Sequence, residues 1–135
     1  MSFEHIKHLD RFLQPHDFSE LASSPYHHPV DIDGFYELNG KGFVYIESKY
    51  GNKLLSKKQY KDLKDTVDMI RRDGKDGYLI IVQHNVTDPK EIVNEAESLV
   101  REVYFGNGEY WRPLWNEKRE IKLRDYWKEL LAKYC

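Results

Sequence analysis

The sequence predicts an α/β fold, with a mixed central sheet and helices on both faces. Three observations carry this reading. Two strand-like segments flank Asn39-Gly40-Lys41-Gly42, a strong hairpin turn. Ser56-Lys57-Lys58-Gln59 has the S-x-x-Q form that opens a helix. Tyr78-Leu79-Ile80-Ile81-Val82 is short and continuously apolar, the pattern of a strand covered on both faces. A hairpin strand joined through a helix to a buried strand implies a right-handed crossover.

In chain order, Phe3, Ile6, Leu9, Phe12 and Leu13 fit one short helix ended by Pro15. Asp17 is placed to cap a second turn through Phe18, Leu21 and Ala22. Ser23-Ser24-Pro25 and Pro29 impose irregular backbone. Residues 30–38 read as a strand, and 43–50 as its return. On the return strand Val44, Ile46 and Ser48 share one face, and Phe43, Tyr45, Glu47 and Lys49 the other. The capped helix runs to about Arg72, with Tyr60, Leu63, Val67 and Ile70 as its buried stripe, and Asp73-Gly74 and Asp76-Gly77 stop it. Asp88-Pro89-Lys90-Glu91 reads as another helix start. Ile92, Val93, Ala96, Leu99, Val100 and Val103 form its stripe, and Gly106-Asn107-Gly108 breaks it. Tyr110-Trp111-Arg112 reads as a short edge strand. A last helix over 117–133 offers Leu123, Trp127, Leu130 and Leu131 to the core.

The chain has 135 residues, 40% of them apolar and 33% charged, which predicts one globular domain able to fold without disulfides. No apolar run is long enough to span a membrane. Met1-Ser2-Phe3-Glu4-His5 lacks the basic and apolar regions of a signal peptide. Cys135 is the lone cysteine, so a reducing cytoplasm is the expectation. A net charge of −2 argues against coating duplex DNA by bulk positive charge, though not against a local basic strip.

The chemistry-bearing pattern is Asp31-Ile32-Asp33-Gly34 followed by Glu47-Ser48-Lys49. Asp31 and Asp33 share a face of the first hairpin strand, and Glu47 and Lys49 share a face of the second. If Asp33 and Glu47 face the same side, they close around one hard cation such as Mg²⁺. Ser48 points away, with its backbone carbonyl still in reach of the ion. Lys49 beside the carboxylates steadies a negative transition state or orients a water. The set reads as a metal-dependent phosphodiesterase site. The bland alternative is a solvated Glu-x-Lys salt bridge on an exposed hairpin.

These residues resemble the PD-(D/E)xK nuclease superfamily, which includes restriction endonucleases, Holliday junction resolvases and RecB-type nucleases. The resemblance covers about residues 17–104 and is strongest to small nucleases of phages and prophages. It implies a restriction-endonuclease-like core, with the C-terminal helix as an extension. It implies Asp33 and Glu47 as Mg²⁺ ligands, with Mn²⁺ as a substitute, and Lys49 as the residue assisting the attacking water. It further implies DNA as substrate, host cytoplasm as location and, by analogy with resolvases, a homodimer. Two departures stand. The first meander strand is not evident, and the usual Pro-Asp pair is absent: Pro29 precedes Asp31 by two. Asp31 therefore stays open beside Asp33 as first ligand, with Ile32-Asp33 closer to the RecB-like form. The competing function is a catalytically inactive binding or regulatory module on the same fold.

Gln59 is placed either to position water or phosphate, or to serve as capping partner of Ser56. Glu20 is a further acid, and His27, His28 and His84 are weaker candidates, without zinc spacing. Lys57, Lys61 and Lys64 share a helix face suited to a phosphate backbone, diluted by Asp62, Asp65 and Asp68. Tyr110, Trp111 and Trp115, with Arg112, are placed to stack on unpaired bases or, more simply, to pack.

Overall fold

The computed structural model describes Glu20 and residues 32–135. The readings on Phe3 to Leu13, Asp17, His27, His28, Val30 and Asp31 lie outside the described residues. The elements below all belong to the unit Asp31–Cys135. Five strands form one sheet in the order β1-β2-β3-β4-β5.

Strand β1, Gly34–Leu38, pairs antiparallel with β2, Gly42–Tyr50. Asn39 (φ 53°) and Gly40 (φ 68°) are both left-handed, and the Lys41 N–H donates to the Leu38 carbonyl at 3.1 Å. Two successive residues of positive φ match the right-handed twist of a hairpin, and Asn-Gly adopts them at least cost. Within the described residues the strand starts at Gly34, later than its apolar pattern suggests, with Ile32 and Asp33 ahead of the ladder.

Helix α1, Lys57–Arg72, opens where Ser56 Oγ accepts the Gln59 N–H at 3.1 Å. It closes at Asp73 and Gly74, the latter left-handed at φ 81°. The chain then enters β3, Asp76–His84, parallel to β2 from Gly42↔Asp76 through Tyr50↔His84. The expected mixed sheet follows from this crossover.

From Asp88 the structure departs from the sequence reading. No helix spans these residues. A short 3₁₀ turn, Glu95–Glu97, leads into strand β4, Leu99–Gly106, antiparallel to β3. Ile92, expected in a buried stripe, is exposed. The apolar spacing fits a 3.6 period, but Val100-Arg101-Glu102-Val103-Tyr104-Phe105 is also rich in the β-branched and aromatic residues that strands favour. The open edge of buried β3 decides the outcome, because its N–H and C=O groups need partners.

Strand β5, Glu109–Trp111, completes the edge as predicted. A short helix α2, Pro113–Asn116, precedes α3, Leu123–Tyr134, so the last helix starts later than expected. Its buried stripe is Leu123, Tyr126 and Leu130, while Leu131 is turned outward.

The two sheet faces carry different helices. Leu123, Tyr126 and Leu130 of α3 pack with Val44, Ile46, Tyr78, Ile80, Val82, Val100 and Val103. The opposite face receives α1 through Leu63 and Val67; a Cβ built on Gly77 would lie 3.2 Å from Val67 Cγ1. Helices therefore cover both faces, and α3 is a core layer where an extension was expected. Among the described residues no helix is long and apolar enough to cross a membrane.

Candidate active site

The α1 face of β2 carries the acidic cluster. Gly34↔Ile46 is the final ladder pair of the hairpin, so Asp33, one step further, comes beside Glu47. Two reciprocal bonds fix this arrangement. Asp33 Oδ2 accepts the Ser48 N–H at 2.7 Å. The Asp33 N–H in turn donates to the Glu47 carboxylate. Asp33 is exposed, whereas Glu47 is only 3% exposed. Glu47 sits on a strand paired on both sides, next to Ile81 of β3.

Lys49 follows two residues on, its Nζ 3.6 Å from Glu47 Oε1. The Gln59 side chain, from the first turn of α1, hydrogen-bonds the same carboxylate. The Gln59 backbone N–H serves the Ser56 cap, while its side chain reaches Glu47. Glu47 Oε2 is buried and has no hydrogen-bond partner among the described residues.

Burial is the main force raising the Glu47 pKa above the ordinary glutamate value, and the charge of Asp33 adds to it. The Gln59 hydrogen bond, the Lys49 charge and the Asp33 N–H oppose this without cancelling it. A buried carboxylate whose charged form is disfavoured, with one oxygen lacking a partner among the described residues, is chemically suited to a cation.

Asp33, Glu47, Lys49 and Gln59 thus converge. Asp31 lies outside the described residues. Ser48 enters the site through its N–H, which holds Asp33. Its hydroxyl turns to the α3 face and donates to Glu95 Oε1 at 3.0 Å. Among the described residues no group of three or more His, Cys, Asp or Glu gathers as a metal cage. Two carboxylates suffice for Mg²⁺, which usually keeps waters and substrate phosphates as its other ligands.

The weaker candidates scatter. Glu20 is exposed. His84 accepts the Val86 N–H at Nδ1 and lies beside Tyr50. It lines a cavity of about 700 Å³ on the α3 face, with Ser48, Glu95 and Trp127. That cavity is the larger one and reaches Asp33, but Glu47, Lys49 and Gln59 are not among its walls. Trp111 packs on Tyr126 and donates to Glu117, which is structural work. Trp115 instead stays half exposed over a second cavity, on the α1 face. Lys57, Lys61 and Lys64 line that second cavity together, as their shared helix face implied.

Sequence reasoning missed Arg101 and Glu102, both buried on β4. Glu102 accepts from the Tyr60 hydroxyl and from Arg112 Nε. Two opposite charges inside a run bounded by Val100 and Val103 were the available signal, a local break in the apolar pattern. No protein-family profile, curated protein or solved structure matches the chain.

Proposed function

We propose that the chain is a divalent-metal-dependent nuclease of the PD-(D/E)xK type that hydrolyses phosphodiester bonds in DNA. One observation carries the reading: a buried carboxylate, Glu47 on β2, with one oxygen that has no hydrogen-bond partner among the described residues, meets Asp33, Lys49 and Gln59.

The donor set fits a hard cation. Asp33 and Glu47 would hold Mg²⁺, or Mn²⁺ in its place. Bound there, the ion supplies Lewis-acid polarisation of a phosphoryl oxygen and acidification of water. The remaining work belongs to the chain. The Ser48 N–H pins Asp33, and two-sided strand pairing pins Glu47, so the ligands are held before substrate arrives. Gln59 sets the orientation of the Glu47 carboxylate. Lys49 brings a positive charge beside it, where charge builds on a phosphate in the transition state.

Lys49→Ala is expected to lower Mg²⁺-dependent cleavage by about 10²–10³-fold, the usual loss of one preorganised charge-stabilising group. The measurement is cleavage of duplex, branched and single-stranded DNA by wild type and variant. Equal cleavage by both, or by neither over the whole panel, contradicts the proposal. The second outcome leaves the non-catalytic binding module.

A further inference from the structure

The second cavity on the α1 face has an unbalanced charge. Lys57, Lys61, Lys64, Arg101 and Arg112 line it against one acid, Glu102. Glu102 is already engaged by Arg112 and Tyr60. Lys61 is paired with Asp65 at 2.6 Å. Among the described residues, Lys57, Lys64 and Arg101 have no carboxylate at ion-pair distance.

Arg101 is the most telling of these. It is 2% exposed, and its Nη1 donates to the Lys53 carbonyl at 2.8 Å. Burial disfavours its charge, and the neighbouring Glu102, which also serves Arg112 and Tyr60, offsets this only in part; an anion entering the cavity would add to that compensation. The start of α1 points the same way. Helix N-termini favour acids, yet the first turn of α1 has none and begins with Lys57 and Lys58. Lys58 is paired with Asp62, so Lys57 is the cation that adds to the positive dipole end there.

Size and walls narrow the ligand. About 360 Å³ lies near the lower bound, about 300 Å³, of small-molecule pockets, room for roughly one nucleotide. Trp115, about 6.0 Å from the Arg101 guanidinium, gives an exposed aromatic face for a base. A terminal phosphate carries about −1.5 to −2 charges, against about −1 for a phosphodiester, and so suits this excess of cations better. Reaching buried Arg101 also asks for a group that ends in the cavity rather than a chain passing over it.

We propose that this cavity receives the phosphorylated end of a single nucleic-acid strand, with its phosphate on Lys57 and Arg101 and its base against Trp115. The choice of a strand rests on the nuclease reading. Ile81, in the cavity wall, is the ladder partner of Glu47, and Lys57 and Gln59 share one helical turn. A strand end seated here lies beside the acidic cluster on the same sheet face.

The test measures binding of dye-labelled oligothymidylates with 5′-phosphate, 3′-phosphate or hydroxyl ends, by anisotropy, in EDTA. One phosphorylated polarity is expected to bind about tenfold tighter than the hydroxyl form. Lys57→Gln and Arg101→Gln are expected to abolish that margin. Lys57 is exposed, so its variant decides the matter if Arg101→Gln does not fold. Equal affinity for all ends overturns the inference, as does a full margin in Lys57→Gln. Thymidine monophosphate competing as strongly as the phosphorylated strand would make a free nucleotide the ligand, which also overturns it. Binding without metal is separable from cleavage, so failure of either reading is visible without the other.

Discussion

Glu47→Gln is expected to lower Mg²⁺-dependent cleavage by about 10³–10⁴-fold and, at neutral pH, to stabilise the metal-free protein. On the proposed nuclease reading, the first effect follows from losing an anionic ligand; metal Lewis acidity is worth several kcal/mol, and about 1.4 kcal/mol is tenfold in rate. The second follows from the raised Glu47 pKa, caused first by burial and then by Asp33. Between the ordinary glutamate value and the raised one, the folded protein holds a proton that the unfolded chain has released. Wild-type stability therefore falls as pH rises through that window, and stays reduced above it. Glutamine does not titrate, so the variant lacks this loss. Saturating Mg²⁺ is expected to reverse the order, because a ligand that binds only the folded state stabilises it by mass action. Thermal melts of both proteins across pH, with Mg²⁺ and with EDTA, check each part. A wild type that loses no stability relative to Glu47→Gln as pH rises through the window in EDTA contradicts the account of Glu47.

Leu79→Ala is expected to cost about 2–5 kcal/mol, the range for deleting a fully buried leucine. Leu79 has 0% exposure and sits on the central strand, on the face that receives α1. Domains of this kind hold only about 5–15 kcal/mol in total, so one such cavity removes a large share of it. A fall in melting temperature of roughly 10 °C or more is the expected readout. Because α1 also carries Gln59 and the basic cavity wall, the variant should recover near wild-type cleavage only well below its lowered melting point. Urea denaturation measures the loss. A change under about 1 kcal/mol would mean that α1 does not pack on β3 as described.

The parts of the fold legible in sequence are those with local physical causes. Asn39-Gly40 announces its turn because few other pairs accept two left-handed residues at low cost, and the structure has φ 53° and 68° there. Ser56 announces α1 through its cap. The meeting of Asp33 and Glu47 was readable because strand alternation and the turn together set the hairpin register. Strand β4 was not readable, since Ile92 through Val103 satisfies a helical period while the deciding factor, the unpaired edge of β3, lies far away in sequence. Arg101 and Glu102 escaped for a related reason: their burial comes from Tyr60, Lys53 and Arg112, which only the tertiary fold brings near.

The proposed cation site at Glu47 is tested most directly by the anomalous scattering of a crystal soaked in Mn²⁺. A single strong peak between Asp33 and Glu47, with Glu47 Oε2 among its ligands, is the expected result. A featureless map there, with the Glu47 carboxylate closed onto Lys49 and no space for an ion, would contradict it.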